Sequence, residues 1–366
     1  FSGMAGKEWA TLEIRLPRIV NKSPVAMEIV TSILHQKGTW KNPAWFSLEL
    51  VSLGGKIHFY IRTPKAYKHI LESQIFAQYP EVEVDEVEDY TNNINYEKNG
   101  NLELWGILLK LSKEDAYPIK TYVDYGLDKE GIKEEFKIDP IASTLEFLSS
   151  LNALEQCWIQ IIITPTIKRH PKKDSWYKKQ DWKDEGKGLI EKIMKRDKKP
   201  EGDKVTFPPP LSPGESDVVK AIERSISKRG FDCGIRMMYI APKDKYSIGN
   251  QWGMTKIFNQ YNTLNLNGFE PDMDSQSDYD YNIQEKLFIN PILKWANYKV
   301  IRKKKDMLLA YKLRSYFHPP FKHKPFVLNS EELATIFHFP GGVVTSGAVE
   351  RIESKKAEPP SNLPIG

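Results

Sequence analysis

The stretch Phe46-Ser-Leu-Glu-Leu-Val-Ser-Leu-Gly-Gly-Lys-Ile-His-Phe-Tyr-Ile-Arg62 decides the fold. Two strand-like runs, residues 46–51 and 56–62, flank Leu53-Gly54-Gly55, where glycine permits the tight turn of a hairpin. Upstream, Thr11-Leu-Glu-Ile-Arg-Leu16 alternates apolar and polar side chains, the period of a half-buried strand. Ser23-Pro24 then opens a helix, because serine can accept from free N–H groups and proline at the first helical position has none to satisfy. Val25, Ile29, Ser32 and Ile33 give that helix an inward face. Downstream, Pro64 starts a second helix, Tyr79-Pro80 ends it, and Val82-Glu-Val-Asp-Glu-Val87 is another alternating run. The order β-α-β-β-α-β is that of a ferredoxin-like split βαβ unit.

The second half echoes the first. Residues 102–111 read as a strand, and Asp139-Pro-Ile-Ala142 opens a helix as Ser23-Pro-Val-Ala26 does. The apolar run 157–164 is closed by Pro165, as 58–63 is by Pro64, so it is read as the counterpart of the third strand. Residues 217–228 form the second helix, and 234–240 stand for the fourth strand, with one strand of the pattern missing. The expected fold class is α+β, with tandem ferredoxin-like units and a helical C-terminal extension. The boundaries are 1–98, 99–245 with a basic insert at 165–213, and 246–366. The insert, bracketed by Pro171-Lys-Lys, Lys198-Lys-Pro and Pro208-Pro-Pro, reads as a mobile excursion with at most a short helix over 188–196. Residues 262–280 read as loop and 290–316 as a long helix, with Trp295, Tyr298, Ile301, Leu308 and Tyr311 near one face. Asn329 caps a last helix through Glu332, and an extended tail follows.

The chain has 366 residues with 53 Lys+Arg against 48 Asp+Glu, a net +5 that is unevenly placed. Residues 167–204 carry a local +6 and residues 294–324 a local +9, so the remainder is acidic. Two cysteines cannot build a disulfide framework or a four-cysteine zinc site. Both lie in strand-like runs and read as buried thiols of a reducing compartment. No run of 18 apolar residues occurs.

Catalytic signatures fare poorly. Gly249-Asn-Gln-Trp-Gly-Met-Thr-Lys256 lacks a lysine directly after the second glycine, which a P-loop needs to reach the β/γ-phosphates. No dinucleotide glycine pattern follows a strand. His318 and His323 lack neighbouring ligands for zinc. His338 reads as a half-buried helix-end residue, suited as a cation to a helix C-terminus. Asp272, Asp274, Asp278 and Asp280 lack the glycine and glutamate of a calcium loop. No metal or cofactor is expected. The ridge Glu81, Glu83, Asp85, Glu86, Glu88 and Asp89 reads as a wet strand face able to meet a basic partner.

The basic helix carries most of the functional signal. Arg302, Lys303, Lys304 and Lys305 are followed by Tyr311, Arg314 and Tyr316. Clustered cations suit phosphates and aromatics can stack bases. The same composition suits an anionic lipid surface, and a solvated helix face is the plain alternative.

Several strings together resemble one family: Trp45-Phe-Ser-Leu-Glu-Leu-Val, Phe59-Tyr-Ile-Arg-Thr-Pro-Lys65, Gln74-Ile-Phe-Ala-Gln-Tyr-Pro80, Tyr117-Pro-Ile-Lys-Thr-Tyr-Val-Asp-Tyr-Gly126 and the stretch 326–340. The chain resembles membrane-anchored proteins of candidate-phyla bacteria that are similar to proteins of type IV secretion or conjugative DNA-transfer loci. In some relatives this region precedes a P-loop ATPase domain, which this chain lacks. The resemblance implies a hydrophobic anchor upstream of Phe1 and a place on the cytoplasmic side of the cell membrane. The expected function is a non-enzymatic scaffold or docking module in such a machine. The alternative is a nucleic-acid-binding module using residues 294–316. Expected partners are proteins of the machine, a second copy through the oppositely charged ridge and helix, DNA, or an anionic lipid surface.

Overall fold

The structure is a computed structural model that describes residues 8–17, 23–35, 44–97, 99–129, 138–167, 170–172, 175–194, 210–277, 290–341 and 351–352. The first elements follow the sequence pattern in order and extent. They are β1 (Trp9–Pro17), α1 (Pro24–Ile33), β2 (Phe46–Leu53), β3 (Lys56–Pro64), α2 (Lys65–Gln78) and β4 (Glu83–Val87). Helix α1 turns a different face inward than expected: Ala26, Met27, Val30 and Thr31 are buried, whereas Val25 and Ile29 are exposed. Ser23 Oγ caps α1 by accepting from the Val25 N–H at 3.3 Å, with Pro24 at the first turn. Gly54 and Gly55 turn the hairpin with φ of 62° and 82°. A Cβ on Gly54 would lie 2.5 Å from the Ala153 carbonyl oxygen, so this turn needs glycine for both its backbone angle and its close approach to the second half. The four strands lie in the order β4-β1-β3-β2, all antiparallel.

The second half contributes β5 (Leu102–Leu111), α3 (Ile141–Ser149), β6 (Gln156–Pro165), β7 (His170–Lys172), β8 (Ser175–Gln180), α4 (Trp182–Ile193), α5 (Pro213–Ser227), β9 (Gly230–Pro242), α6 (Ile248–Lys256) and β10 (Phe269–Asp272). Its strand order is β10-β5-β9-β6, again antiparallel. This corrects the sequence assignment of two strands. β9 is not an edge counterpart of β4; it lies between β5 and β6, as β3 lies between β1 and β2. The strand at the edge of this half is β10, inside a stretch read as loop. It is only four residues long and contains Pro271, which an edge strand tolerates because no ladder N–H is required there. The Asn262 side chain holds it, accepting from the Phe269 N–H at 2.7 Å and donating to the Phe269 carbonyl at 3.0 Å.

Strands β2 and β6 pair over eight residues, Phe46 opposite Ile163 through Leu53 opposite Gln156, so the two halves share one ten-stranded sheet. The remaining elements are α7 (Asn290–Lys312), β11 (Phe326–Asn329), α8 (Ser330–Ile336) and β12 (Arg351–Ile352). Residues 246–366 therefore do not stand apart from the sheet: β10 pairs with β5 and β11 pairs with β9. The protein is a mixed α+β fold on a mainly antiparallel sheet; β12 alone among the described strands runs parallel to its neighbour, β1.

Alternation along the strands sorts the side chains onto two faces. One face carries Leu12, Leu48, Phe59, Ile107, Ile161 and Met237 in the large core that α1, α2, α3 and α8 cover. The other carries Val51, Tyr60, Leu104, Trp158 and Met238 against Leu308 and Tyr311 of α7. The basic insert is also more ordered than its composition suggests. Asp181 makes a capping box with Asp184, which starts α4 six residues earlier than the apolar spacing indicates, and Trp182 is buried. Parts of the insert, including Pro208 and Pro209, lie outside the described residues, as do Asp278, Asp280 and the C-terminal tail. Both cysteines are free and buried.

Candidate functional site on helix α7

The centre of the second sheet face is polar. Glu49 on β2, Gln160 on β6 and Arg236 on β9 are each fully buried, near the middle of mainly apolar strands. Buried polar groups must find partners, and these three find them at the C-terminal end of α7. Gln160 donates to Glu49 and to the Tyr311 carbonyl, both at 3.1 Å. Arg236 donates to Gln160 Oε1 at 2.9 Å, to the Ala310 carbonyl at 3.0 Å and to the Ser315 carbonyl at 2.9 Å.

Arg314 completes the network. Its Nε and Nη2 clasp the two Glu49 oxygens at 2.9 Å each, and both Nη atoms reach Asp89, Nη2 at 3.1 Å. Nη1 also donates to the Lys312 carbonyl at 2.9 Å, so all five N–H donors of the guanidinium are used. Arg62 donates to Asp89 Oδ2 at 2.7 Å, the oxygen that Arg314 Nη1 also reaches. Tyr90 donates to Glu49 at 2.8 Å and shares a hydrogen bond of 2.8 Å with Tyr311.

Backbone geometry follows from the same lock. The Arg314 N–H donates to the Tyr311 carbonyl and the Ser315 N–H to the Ala310 carbonyl, each at 3.0 Å, which is a Schellman helix end. That motif needs a left-handed residue, usually glycine; here Arg314 takes it, with φ 49°. The left-handed turn costs about 1–2 kcal/mol for a side-chain-bearing residue, and the clasp on Glu49 and Asp89 offsets it. Beyond the turn, Tyr316 lies over Gly234 of β9, where a Cβ would collide with the ring.

The electrostatics are those of a saturated lock. Burial alone would raise the Glu49 and Asp89 carboxyls, but the Arg314 charge and hydrogen bonds outweigh it and hold both below the ordinary carboxylate range. Burial opposes charge on Arg314 as well, and Glu49 overcomes it, leaving the guanidinium well above its usual value. Arg236 has no carboxylate in its hydrogen-bond set, and burial brings it down to about 10. With their oxygens committed to structural donors, the two carboxylates are arranged to hold helix to sheet rather than to exchange protons with a bound substrate.

The residues proposed as a contact surface therefore separate. Arg314, Tyr311 and Tyr316 are buried and cannot present guanidinium or rings to an outside ligand in this conformation. Lys304 is also inward, with Nζ 2.5 Å from Glu103. Arg302 and Lys305 are exposed, Lys303 is half-buried, and Arg302 lies 3.7 Å from Asp306. On the expected aromatic face, Leu308 and Tyr311 pack inward as the spacing implied, while the Trp295 and Tyr298 side chains lie outside the described residues. In the acidic ridge, Glu81, Glu83, Asp85, Glu86 and Glu88 are exposed, but Asp89 turns into the network. Glu49, Arg62, Gln160 and Arg236 were missed. The available signal was a polar residue centred in a strand run with no other exposed position, as in Cys157-Trp-Ile-Gln-Ile.

A second ionic cluster joins α1, α5 and α8. Lys228 meets Glu28 at 2.8 Å, while Arg224 meets Glu331 at 3.1 Å and Asp124 at 2.9 Å. Beside it, Glu332 makes the capping box with Asn329 and accepts from the Ile119 N–H at 2.9 Å. Burial dominates there and pushes the Glu332 carboxyl up to about 8. A carboxyl raised on folding stabilises most below its unfolded value and loses that contribution as pH rises towards 8. In urea unfolding, wild type should thus lose stability relative to Glu332→Gln between about pH 5 and 8, by at most about 1.4 kcal/mol per pH unit. A parallel pH dependence of the two proteins would contradict this. His338 is buried more deeply than the sequence indicated; its ring nitrogens lie 2.9 Å from the Ala334 carbonyl and 2.9 Å from Asp139.

Among the described residues no group of three or more His, Cys, Asp or Glu side chains is placed to hold a metal ion, and no helix is long and apolar enough to cross a membrane. A cleft of about 430 Å³ lies along α5, lined in part by Asp124, Asp217, Lys220 and Arg224. The fold and site thus define a mixed α+β protein whose polar interior clamps one long helix across an antiparallel sheet. The chain belongs to the family described as Domain of unknown function (DUF8128), whose model matches residues 1–284. The match takes in Glu49, Asp89, Gln160 and Arg236 and ends before α7. No curated protein matches the chain.

Proposed function

We propose that this protein is a non-enzymatic docking module, built from two ferredoxin-like units fused edge to edge, that offers the outer face of α7 to a partner. The identical orders β4-β1-β3-β2 and β10-β5-β9-β6 support the duplicated unit, with β7, β8, α4 and α5 as an insertion between the second and third strands of the later copy. The observation that carries the docking reading is the orientation of α7. Its Tyr311 and, just past its end, Arg314 are spent on the sheet, and what is turned outward is Arg302, Lys305, Leu309 and Leu313. A rigid helix presenting charge and apolar side chains together is a recognition surface and not a reaction centre. The sequence resemblance supports a setting on the cytoplasmic side of a membrane-anchored, type IV secretion-like or DNA-transfer machine.

The docking test uses cells that make the full-length protein. The pair Arg302→Glu and Lys305→Glu should abolish co-fractionation with the envelope assembly while leaving the melting temperature of the purified chain unchanged. Unaltered co-fractionation would overturn the reading. The nucleic-acid alternative loses its stacking platform once Tyr311 and Tyr316 are buried. Saturable binding of single- or double-stranded DNA at about 50 mM salt, lost on neutralising Arg302 and Lys305, would restore it.

A further inference from the structure

We infer that the partner of the outer α7 face is an anionic lipid bilayer surface, an inference that deepens the docking reading and rests on it. At 100° per residue, Arg302, Leu309 and Leu313 fall on one stripe, with Lys305 and Lys312 flanking it. Leu309 and Leu313 are each 45 % exposed at i and i+4, whereas Leu308 and Tyr311 on the opposite side are buried. The one acid on the stripe, Asp306, is near Arg302. Past the helix end, Lys322 and Lys324 are exposed as well.

Each element of this stripe suits headgroups and acyl chains better than the other anionic partners. Cations meet lipid phosphates at a leaflet surface, and leucine side chains reach past them into the acyl boundary. Phosphodiester backbones would use the cations and leave two half-exposed leucines in water. The outer side of a helix is convex, and a fluid headgroup layer needs no matching concavity, whereas a folded protein partner does. The inner lock matters too: Arg314, Arg236 and Gln160 hold the helix end by its carbonyls, so the stripe is presented as a fixed surface without ordering a free helix at the membrane. Contact through a few cations and two leucines is weak and reversible, sufficient to orient a protein already held near the membrane.

The experiment is co-sedimentation of the full chain with vesicles of phosphatidylcholine alone or with about 30 % phosphatidylglycerol, at low and at physiological salt. Binding should require the anionic lipid and fall with salt. Arg302→Gln with Lys305→Gln should weaken it about 25-fold, at roughly fivefold per charge. Leu309→Ser with Leu313→Ser should weaken it without changing its salt dependence. Leu313→Trp should show a blue-shifted emission on anionic vesicles, which a purely electrostatic contact would not give. Equal binding to both vesicle types, no binding, or an unshifted emission from the L313W variant would overturn the lipid assignment, as would preferential capture by DNA or an acidic protein through the same residues. The docking reading fails separately. If vesicles do not bind but the charge-reversed pair still releases the protein from the envelope assembly, docking stands and its partner is not lipid.

Discussion

Replacing Arg314 by methionine should remove about 3–5 kcal/mol of folding stability, the cost of breaking a buried ion pair by deleting one partner. The side chain is fully buried, and its five N–H groups hold Glu49, Asp89 and the end of α7. Without it, Asp89 keeps its ion pair with Arg62, and Glu49 remains in the interior with only the neutral donors Ser47, Tyr90 and Gln160 in hydrogen-bond contact among the described residues. Typical domains are stable by about 5–15 kcal/mol, so the loss takes a large share of the total. Arg314→Lys should recover little, because an ammonium cannot span both Glu49 oxygens and both Asp89 oxygens at once. Arg314→Gly relaxes the left-handed turn but deletes the charge, and should fall near methionine. Urea unfolding measures all three. A loss below about 1 kcal/mol, the range of exposed pairs, would mean that Arg314 is solvated in solution.

Trp158→Ala should cost about 3–5 kcal/mol, as for other fully buried tryptophans. Trp158 sits on β6 beneath α7, with ring centroids 5.1 Å from Tyr90 and 5.2 Å from Tyr311. Those two tyrosines are hydrogen-bonded to each other, one after β4 and the other on α7. The cavity therefore opens where the first half, the second half and the helix meet. Trp158→Phe should cost clearly less, since most of the ring contact survives. Equal losses for the two variants in thermal unfolding would place the cost in the hydrogen bond from Trp158 Nε1 to Gln156 rather than in packing.

The first half was legible because each local signal agreed with the next. Ser23-Pro24 capped a helix, Gly54-Gly55 turned a hairpin, and alternation marked β1 and β4. The second half hid its topology for two physical reasons. The hairpin between β6 and β9 is split by an insertion of more than sixty residues, so adjacent strands are far apart in sequence. Its edge strand β10 is held by the Asn262 side chain and carries a proline, so it lacks the alternation that marks longer strands. The basic helix and the inward face through Leu308 and Tyr311 were legible, but the inward turn of Arg314 was not. Arg314 and the lysines before it look alike in sequence, and Glu49 and Asp89, 265 and 225 residues away, turn the arginine inward. Long-range pairing of this kind leaves no local periodicity to read.

The account turns on whether α7 is a clamp or a detachable arm, and native-state hydrogen exchange distinguishes the two directly. The amides of residues 304–313 should exchange only through the global opening that frees β2, β6 and β9, with matching opening free energies and matching sensitivity to urea. Exchange of α7 at a much lower, denaturant-insensitive free energy than those strands would contradict the account, because the helix would then leave the sheet and expose Tyr311 and Arg314 to an outside ligand.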